Sequence, residues 1–195
     1  SPAPVVTPAV HDWVMQHVIY PTVNGMASEG TVFTGFLYAG LMIAPDGSAK
    51  VLEYNCRFGD PETQPIMLRL QSDLVELCLA ATKTQLAGKH IDFTADAAVG
   101  VVLAAGGYPD SYAKGKAISG LDGADSASAK VFHAGTELKD GQVVTNGGRV
   151  LCATALGSNV TQAQQAAYQL AAKISWEGMF CRTDIGYRAI AREKN

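Results

Sequence analysis

The sequence predicts an α+β protein in two parts, and three observations carry that prediction. Up to about residue 90, apolar residues recur at helical spacing around a single hairpin. Beyond it, the texture changes to short strands separated by glycine turns. A late helix with one small, apolar face completes the pattern. The 195 residues suffice for one large core or two small ones. A hydrophobic content of 48% with 17% charged residues suits a packed chain and argues against a disordered tail or a solvated coiled coil.

The elements follow in order. Thr7 before Pro8 is a helix start, and Val10, Trp13, Val14, His17 and Val18 then keep helical spacing until Pro21, which should kink or restart the helix. The apolar run Phe36 to Ile43, the turn Pro45-Asp46-Gly47 and the run Val51 to Asn55 read as a hairpin. Asp60 before Pro61 repeats the cap-then-proline pattern ahead of Ile66, Met67 and Leu70. Ser72 can cap a helix carrying Leu74, Val75, Leu77, Cys78 and Ala81, with Gly88 as its C-cap. Periodicity lapses between Gly88 and Asp96, which places a boundary there. Ala97 to Ala105 reads as a buried strand, Lys130 to His133 and Gln142 to Thr145 as shorter ones, and Arg149 to Leu156 as a hairpin return after Asn146-Gly147-Gly148. Thr161 to Ile174 is the late helix.

The chemistry concentrates at the exit of the hairpin, in Arg57-Phe58-Gly59-Asp60-Pro61-Glu62-Thr63-Gln64, preceded by Glu53 and Asn55. Strand alternation puts Val51, Glu53, Asn55 and Arg57 on one face. A carboxylate and an amide there offer two hard oxygens to a divalent cation, although a half-exposed strand alternating polar and apolar residues reads the same way. Arg57 matches a phosphoryl group or a carboxylate, or else pairs with Glu53 or Glu62. Asp60 can cap the following helix and, with Glu62, can attract an amine, two roles that its two carboxylate oxygens allow together; two carboxylates in a first turn disfavour a phosphate.

These residues resemble the ATP-grasp ligases of the glycinamide ribonucleotide synthetase family. The likeness runs from Ser1 to Asn195 through Gly35 to Gly40, Ser72-Asp73-Leu74, Ala105 to Pro109 and Asn146 to Arg149. It implies that residues 1–90 are the C-terminal part of an ATP-grasp domain and 91–195 a small C-terminal domain. It also implies ATP and Mg2+ or Mn2+ as cofactors, glycine and 5-phosphoribosylamine as substrates, and a cytoplasmic role in purine biosynthesis. Glu53 and Asn55 would hold the metal, Arg57 would be catalytic and substrate-binding, and Asp60 substrate-binding. Many ATP-grasp relatives carry a further acidic ligand on the preceding strand, whereas Thr31 to Pro45 has none and Tyr38 and Gly40 lie near that position instead; the resemblance implies a metal site resting on Glu53 and Asn55, as in glycinamide ribonucleotide synthetases. A complete ligase is longer, so the implied partner is the N-terminal half of the same enzyme. The chain alone is expected to be inactive, and an exposed apolar surface is expected where that half docks. Residues 91–195 show no legible catalytic group and are expected to keep water from the reactive intermediate. Another ATP-grasp carboxylate–amine ligase and a non-catalytic binding module are the alternatives.

Other features exclude other classes. A net charge of -3 without a Lys/Arg cluster provides no footprint for nucleic acid. The longest apolar-rich run, Ala97 to Gly107, is too short to cross a membrane. Cys56, Cys78, Cys152 and Cys181 lack metal-site spacing and read as buried free thiols. The four histidines read as surface or cap residues, and the paired glycines 106–107 and 147–148 as turns needing positive φ.

Overall fold

The computed structural model describes residues 1–193. Lys194 and Asn195, the last two residues of the expected 91–195 part, lie outside the described residues. The chain forms two compact units, one of residues 2–60 and 71–92, the other of Ser1, 61–70 and Phe93 onward.

In the first unit, Thr7 caps α1 (Pro8–Val14), its hydroxyl accepting the Val10 N–H at 3.3 Å. The restart expected at Pro21 takes the form of a π turn over Met15–Ile19 leading into α2 (Tyr20–Ser28). Pro21 has no N–H to donate, and its ring would crowd the carbonyl of His17 in a regular helix. Widening the preceding turn relieves that crowding, with Tyr20 donating to the Met15 carbonyl. The hairpin pairs β1 (Tyr38–Ile43) with β2 (Ala49–Asn55) in antiparallel register. Its turn is held by Asp46, whose carboxylate accepts the Ser48 N–H at 2.9 Å and the Ser48 hydroxyl at 2.7 Å; these bonds keep the Asp46 carboxyl below its ordinary range. Val10, Val14 and Val18 make a small core with Ala39, Leu41, Ile43 and Ala49 packed on it.

Farther along, α4 (Leu74–Thr82) is capped by Asp73, not Ser72: the Asp73 carboxylate accepts both Val75 and Glu76 N–H groups, and the Ser72 hydroxyl accepts the Asp92 N–H. Nor does Gly88 end the helix. Thr84 does, in a left-handed conformation (φ 57°), with Gln85 N–H closing onto the Ala80 carbonyl.

The second unit is built on a three-stranded antiparallel sheet in the order β3 (Ala97–Ala104), β7 (Arg149–Gly157), β4 (Ala129–His133). On one face, Val99, Val101, Leu103, Leu151 and Ala153 pack against Ala163, Ala167 and Leu170 of α5 (Val160–Ala171), whose small residues let it sit close to the sheet. The other face carries α3 (Thr63–Arg69): a Cβ at Gly100 would lie 3.4 Å from Pro65 and 2.9 Å from the Cys152 sulfur, so only glycine fits there without displacement. The expected pairing of Gln142–Thr145 with Arg149–Leu156 is overturned. β6 (Gln142–Thr145) pairs instead with β5 (Thr136–Lys139), across a two-residue Asp140-Gly141 turn in which both residues have positive φ (51° and 79°). Glu193 of α6 (Tyr187–Glu193) closes the unit by accepting the Val160 and Thr161 N–H groups at the start of α5.

The glycine pairs also differ from expectation. Gly107 alone of the four has positive φ (97°). The others permit close approach: a Cβ at Gly106 would stand 2.7 Å from the Gly178 carbonyl oxygen, one at Gly147 2.8 Å from the Gly135 Cα, and one at Gly148 inside the Tyr108 ring.

Candidate functional site

The register of the hairpin decides which side chains share a face. Leu41 pairs with Val51 and Gly40 with Glu53, so Leu52 is an extra residue in β2, a β-bulge. Cross-strand partners point the same way, so Val51 goes with Leu41 toward the helices. Glu53 and Asn55 go with Gly40 and Tyr38 on the opposite face. The expectation that Val51 shares their face is therefore overturned. Lys50, paired with Met42, takes its place there, and it is the charged residue that sequence alternation missed. Tyr54 falls on the helix side, its hydroxyl 2.8 Å from that of Thr22.

Glu53 and Asn55 are brought together: the Asn55 Nδ2 donates to Glu53 Oε1 at 3.1 Å, which directs the amide oxygen away from the carboxylate. Glu53 is exposed and Asn55 half-buried. Gly40, opposite Glu53, leaves room for it, since a Cβ there would come within 3.1 Å of the Glu53 Cγ. Two hard oxygen donors suit Mg2+ or Mn2+. Among the described residues, however, no group of three or more His, Cys, Asp or Glu converges, so a cation here would take its remaining ligands from water or phosphate oxygens.

Arg57 lies beyond the strand at a bend. It is exposed, and its Nη1 donates to the Phe58 carbonyl at 2.8 Å. Phe58 anchors the loop by packing on Phe36, with ring centroids 4.0 Å apart. Asp60 is exposed and lies two residues ahead of the N-cap of the next helix. α3 begins at Thr63, with Glu62 at its N-cap, after a turn formed by Asp60-Pro61-Glu62. Cys56, next to Asn55, is exposed rather than buried; Cys78 and Cys181 are half-buried and Cys152 is buried. All four histidines are exposed. Exposed apolar side chains include Met42 (58%) and Leu52 (63%) on the hairpin and Val75 and Leu79 on α4. Among the described residues no helix is long and apolar enough to cross a membrane.

Comparison with known proteins gives two family matches in tandem. Residues 1–63 match the phosphoribosylglycinamide synthetase ATP-grasp (A) domain, and residues 98–188 the phosphoribosylglycinamide synthetase C domain. The phosphoribosylamine–glycine ligase of Vibrio cholerae is 69% identical over 194 residues, and that of Pseudomonas aeruginosa 65%; each alignment covers 100% of this chain and 45% of the relative. The chain thus spans about half the length of the curated relatives it matches. The crystal structure of the ligase from Thermotoga maritima is similar with a TM-score of 0.78 at 39% identity, over 92% of this chain and 44% of that one. The biotin carboxylase domain of a thermophilic 2-oxoglutarate carboxylase shares the fold, with a TM-score of 0.64 at 13% identity, over 93% of this chain and 40% of that one. The α+β, ATP-grasp-type architecture is therefore common to all of these, and by its two tandem matches and whole-chain identity the chain belongs to the phosphoribosylglycinamide synthetase family.

Proposed function

We propose that the chain forms part of a phosphoribosylamine–glycine ligase, which joins glycine to 5-phosphoribosylamine using ATP in cytoplasmic purine biosynthesis. The observation that carries this reading is the identity of 65–69% along the whole chain to ligases of that name. Residues 1–90 would form the end of the ATP-grasp domain and 91–195 the C-terminal domain. An N-terminal half corresponding to the rest of the relatives would be the partner.

The chemistry asked of the site is difficult because a carboxylate is a poor electrophile. In the proposed reaction a glycine carboxylate oxygen attacks the γ-phosphorus of ATP and ADP leaves, giving glycyl phosphate. The amine of 5-phosphoribosylamine then attacks the carbonyl carbon, and phosphate leaves with glycinamide ribonucleotide as product. A divalent ion, when bound, supplies neutralisation and alignment of the phosphate oxygens. Glu53 and Asn55 are the residues proposed to hold it. Arg57, an exposed guanidinium close to them in sequence, is proposed to pair with the glycine carboxylate or the transferred phosphoryl group. The Asp60 carboxylate would attract the ammonium of glycine or orient the attacking amine.

The test is ADP release with Mg-ATP, glycine and 5-phosphoribosylamine, using this chain alone and mixed with the N-terminal half of a relative. Glycine-dependent activity only in the mixture, lost by at least ~100-fold in Glu53→Ala, is the expected result. Association of the halves without glycine-dependent turnover would overturn the assignment.

A further inference from the structure

The polar segment from Arg57 to Gln64 is divided between the two compact units: Pro61, Glu62, Thr63 and Gln64 belong with the three-stranded sheet. The chain then leaves that unit for residues 71–92 before returning at Phe93. What ties the two visits together is Arg69, in the last turn of α3. Its Nε donates to the Asp96 carbonyl at 2.8 Å, Nη2 to the Thr94 carbonyl at 3.0 Å and Nη1 to the Ser1 hydroxyl at 3.1 Å, while the guanidinium carbon stands 5.6 Å from the centre of the Phe93 ring. The backbone repeats the connection, with Thr94 N–H donating to the Arg69 carbonyl at 2.9 Å and Leu70 bridging Phe93. Arg69 and Asp96 are 27 residues apart in sequence, so this knot closes a loop whose ends would otherwise separate. Gln64, one turn ahead, has a buried Oε1 without a hydrogen-bond partner among the described residues, a polar atom held at a fixed place without a donor of its own.

We infer that Arg69 is a positioning residue: by clamping the end of α3 to the segment leading into β3, it makes the sheet unit the holder of Glu62, Thr63 and Gln64. Five donors in a rigid fork suit this role, because two carbonyls and a hydroxyl from separate stretches are engaged at once, which an ammonium would not reproduce. For catalysis the inference rests on the proposed ligase reading. Its consequence there is that releasing the end of α3 loosens Glu62, Thr63 and Gln64 and slows turnover without touching a reacting group.

Amide hydrogen exchange on the 195-residue chain tests the clamp directly. Arg69→Met keeps the apolar stem and removes the donors. The Ile66 and Leu70 amides should then exchange roughly tenfold to a hundredfold faster, and those of Val101 and Ala153 in the sheet by less than about threefold. Arg69→Lys should recover part of the protection; it also carries the comparison if the methionine variant does not fold. Unchanged α3 exchange would overturn the inference, as would equal acceleration through α3, β3 and β7, which is what a purely structural role produces. In the complemented ligase, Arg69→Met should lower kcat about tenfold with the KM for ATP unmoved, whereas Glu193→Gln in the same unit should stay within about twofold. A wild-type mixture without ligase activity would sink the function reading, and the exchange result would still decide the clamp.

Discussion

Each unit has its own apolar core, so truncating one core should not be felt equally in both. Leu103 in β3 is fully buried among Val101, Leu151 and the α5 residues, and Leu103→Ala removes three carbons from a site with little freedom to collapse. Transfer and cavity terms together put the loss at about 3 kcal/mol, within a range of about 2–5. With a urea m value of about 1–1.5 kcal/mol/M for a body of this size, the midpoint should fall by about 2–3 M. The two tryptophans report separately, since Trp176 is buried in the sheet unit (8% exposed) and Trp13 lies in the hairpin unit, stacked on His17 at 4.7 Å. Single-tryptophan variants, Trp13→Phe and Trp176→Phe, allow each transition to be followed by fluorescence. The Trp176 transition should move by the full amount and the Trp13 transition by less than about 0.5 M. Equal shifts at both tryptophans would refute the reasoning, since the molecule would then unfold as one cooperative body whatever the division of its cores.

Two further outcomes follow from local geometry. Gly148→Ala should cost about 1–3 kcal/mol, because its Cβ would enter the Tyr108 ring, and Tyr108→Ala should recover much of that loss in a double-mutant cycle of urea midpoints. Asp125 accepts the Val131 N–H at 2.8 Å and the Lys130 ammonium at 2.9 Å, and chiefly the first of these holds its carboxyl below the ordinary range. A depressed folded pKa stabilises the protein above the unfolded value of about 3.9 and ceases to do so as pH falls through the folded value. The stability gap between wild type and Asp125→Asn should therefore be present at neutral pH and close in acid, as read from urea midpoints at both.

Where the sequence was legible, residue chemistry left one option. Thr7-Pro8 starts a helix because the hydroxyl caps and proline needs no donor; Pro45-Asp46-Gly47 turns the hairpin because the Asp46 carboxylate bonds Ser48 and Gly47 takes a φ of 84°. Where two neighbours offer the same chemistry, local reading fails: Ser72 and Asp73 are both capping residue types, and only the Asp73 carboxylate caps, by accepting two N–H groups. The β5–β6 hairpin was missed although Asp140-Gly141 is a strong turn signal, because Thr136–Lys139 is short and mostly exposed and lacks an apolar pattern. At the candidate site, Glu53, Asn55 and Arg57 are conspicuous as residue types. The face they occupy was not legible, since nothing in Val51-Leu52-Glu53 marks a bulge that only pairing with β1 reveals.

The extra residue at Leu52 acts as a change of phase within one strand. Before it, odd positions speak to the helices; after it, they speak to the opposite side. Ala49 and Val51 can therefore be altered for fit against the helices without redirecting Glu53 and Asn55, and the polar pair can be exchanged without opening the small valine core. A strand of seven residues thus carries two independent messages, and a one-residue slip that kept strict alternation would merge them, driving a carboxylate toward Val10 and Val14.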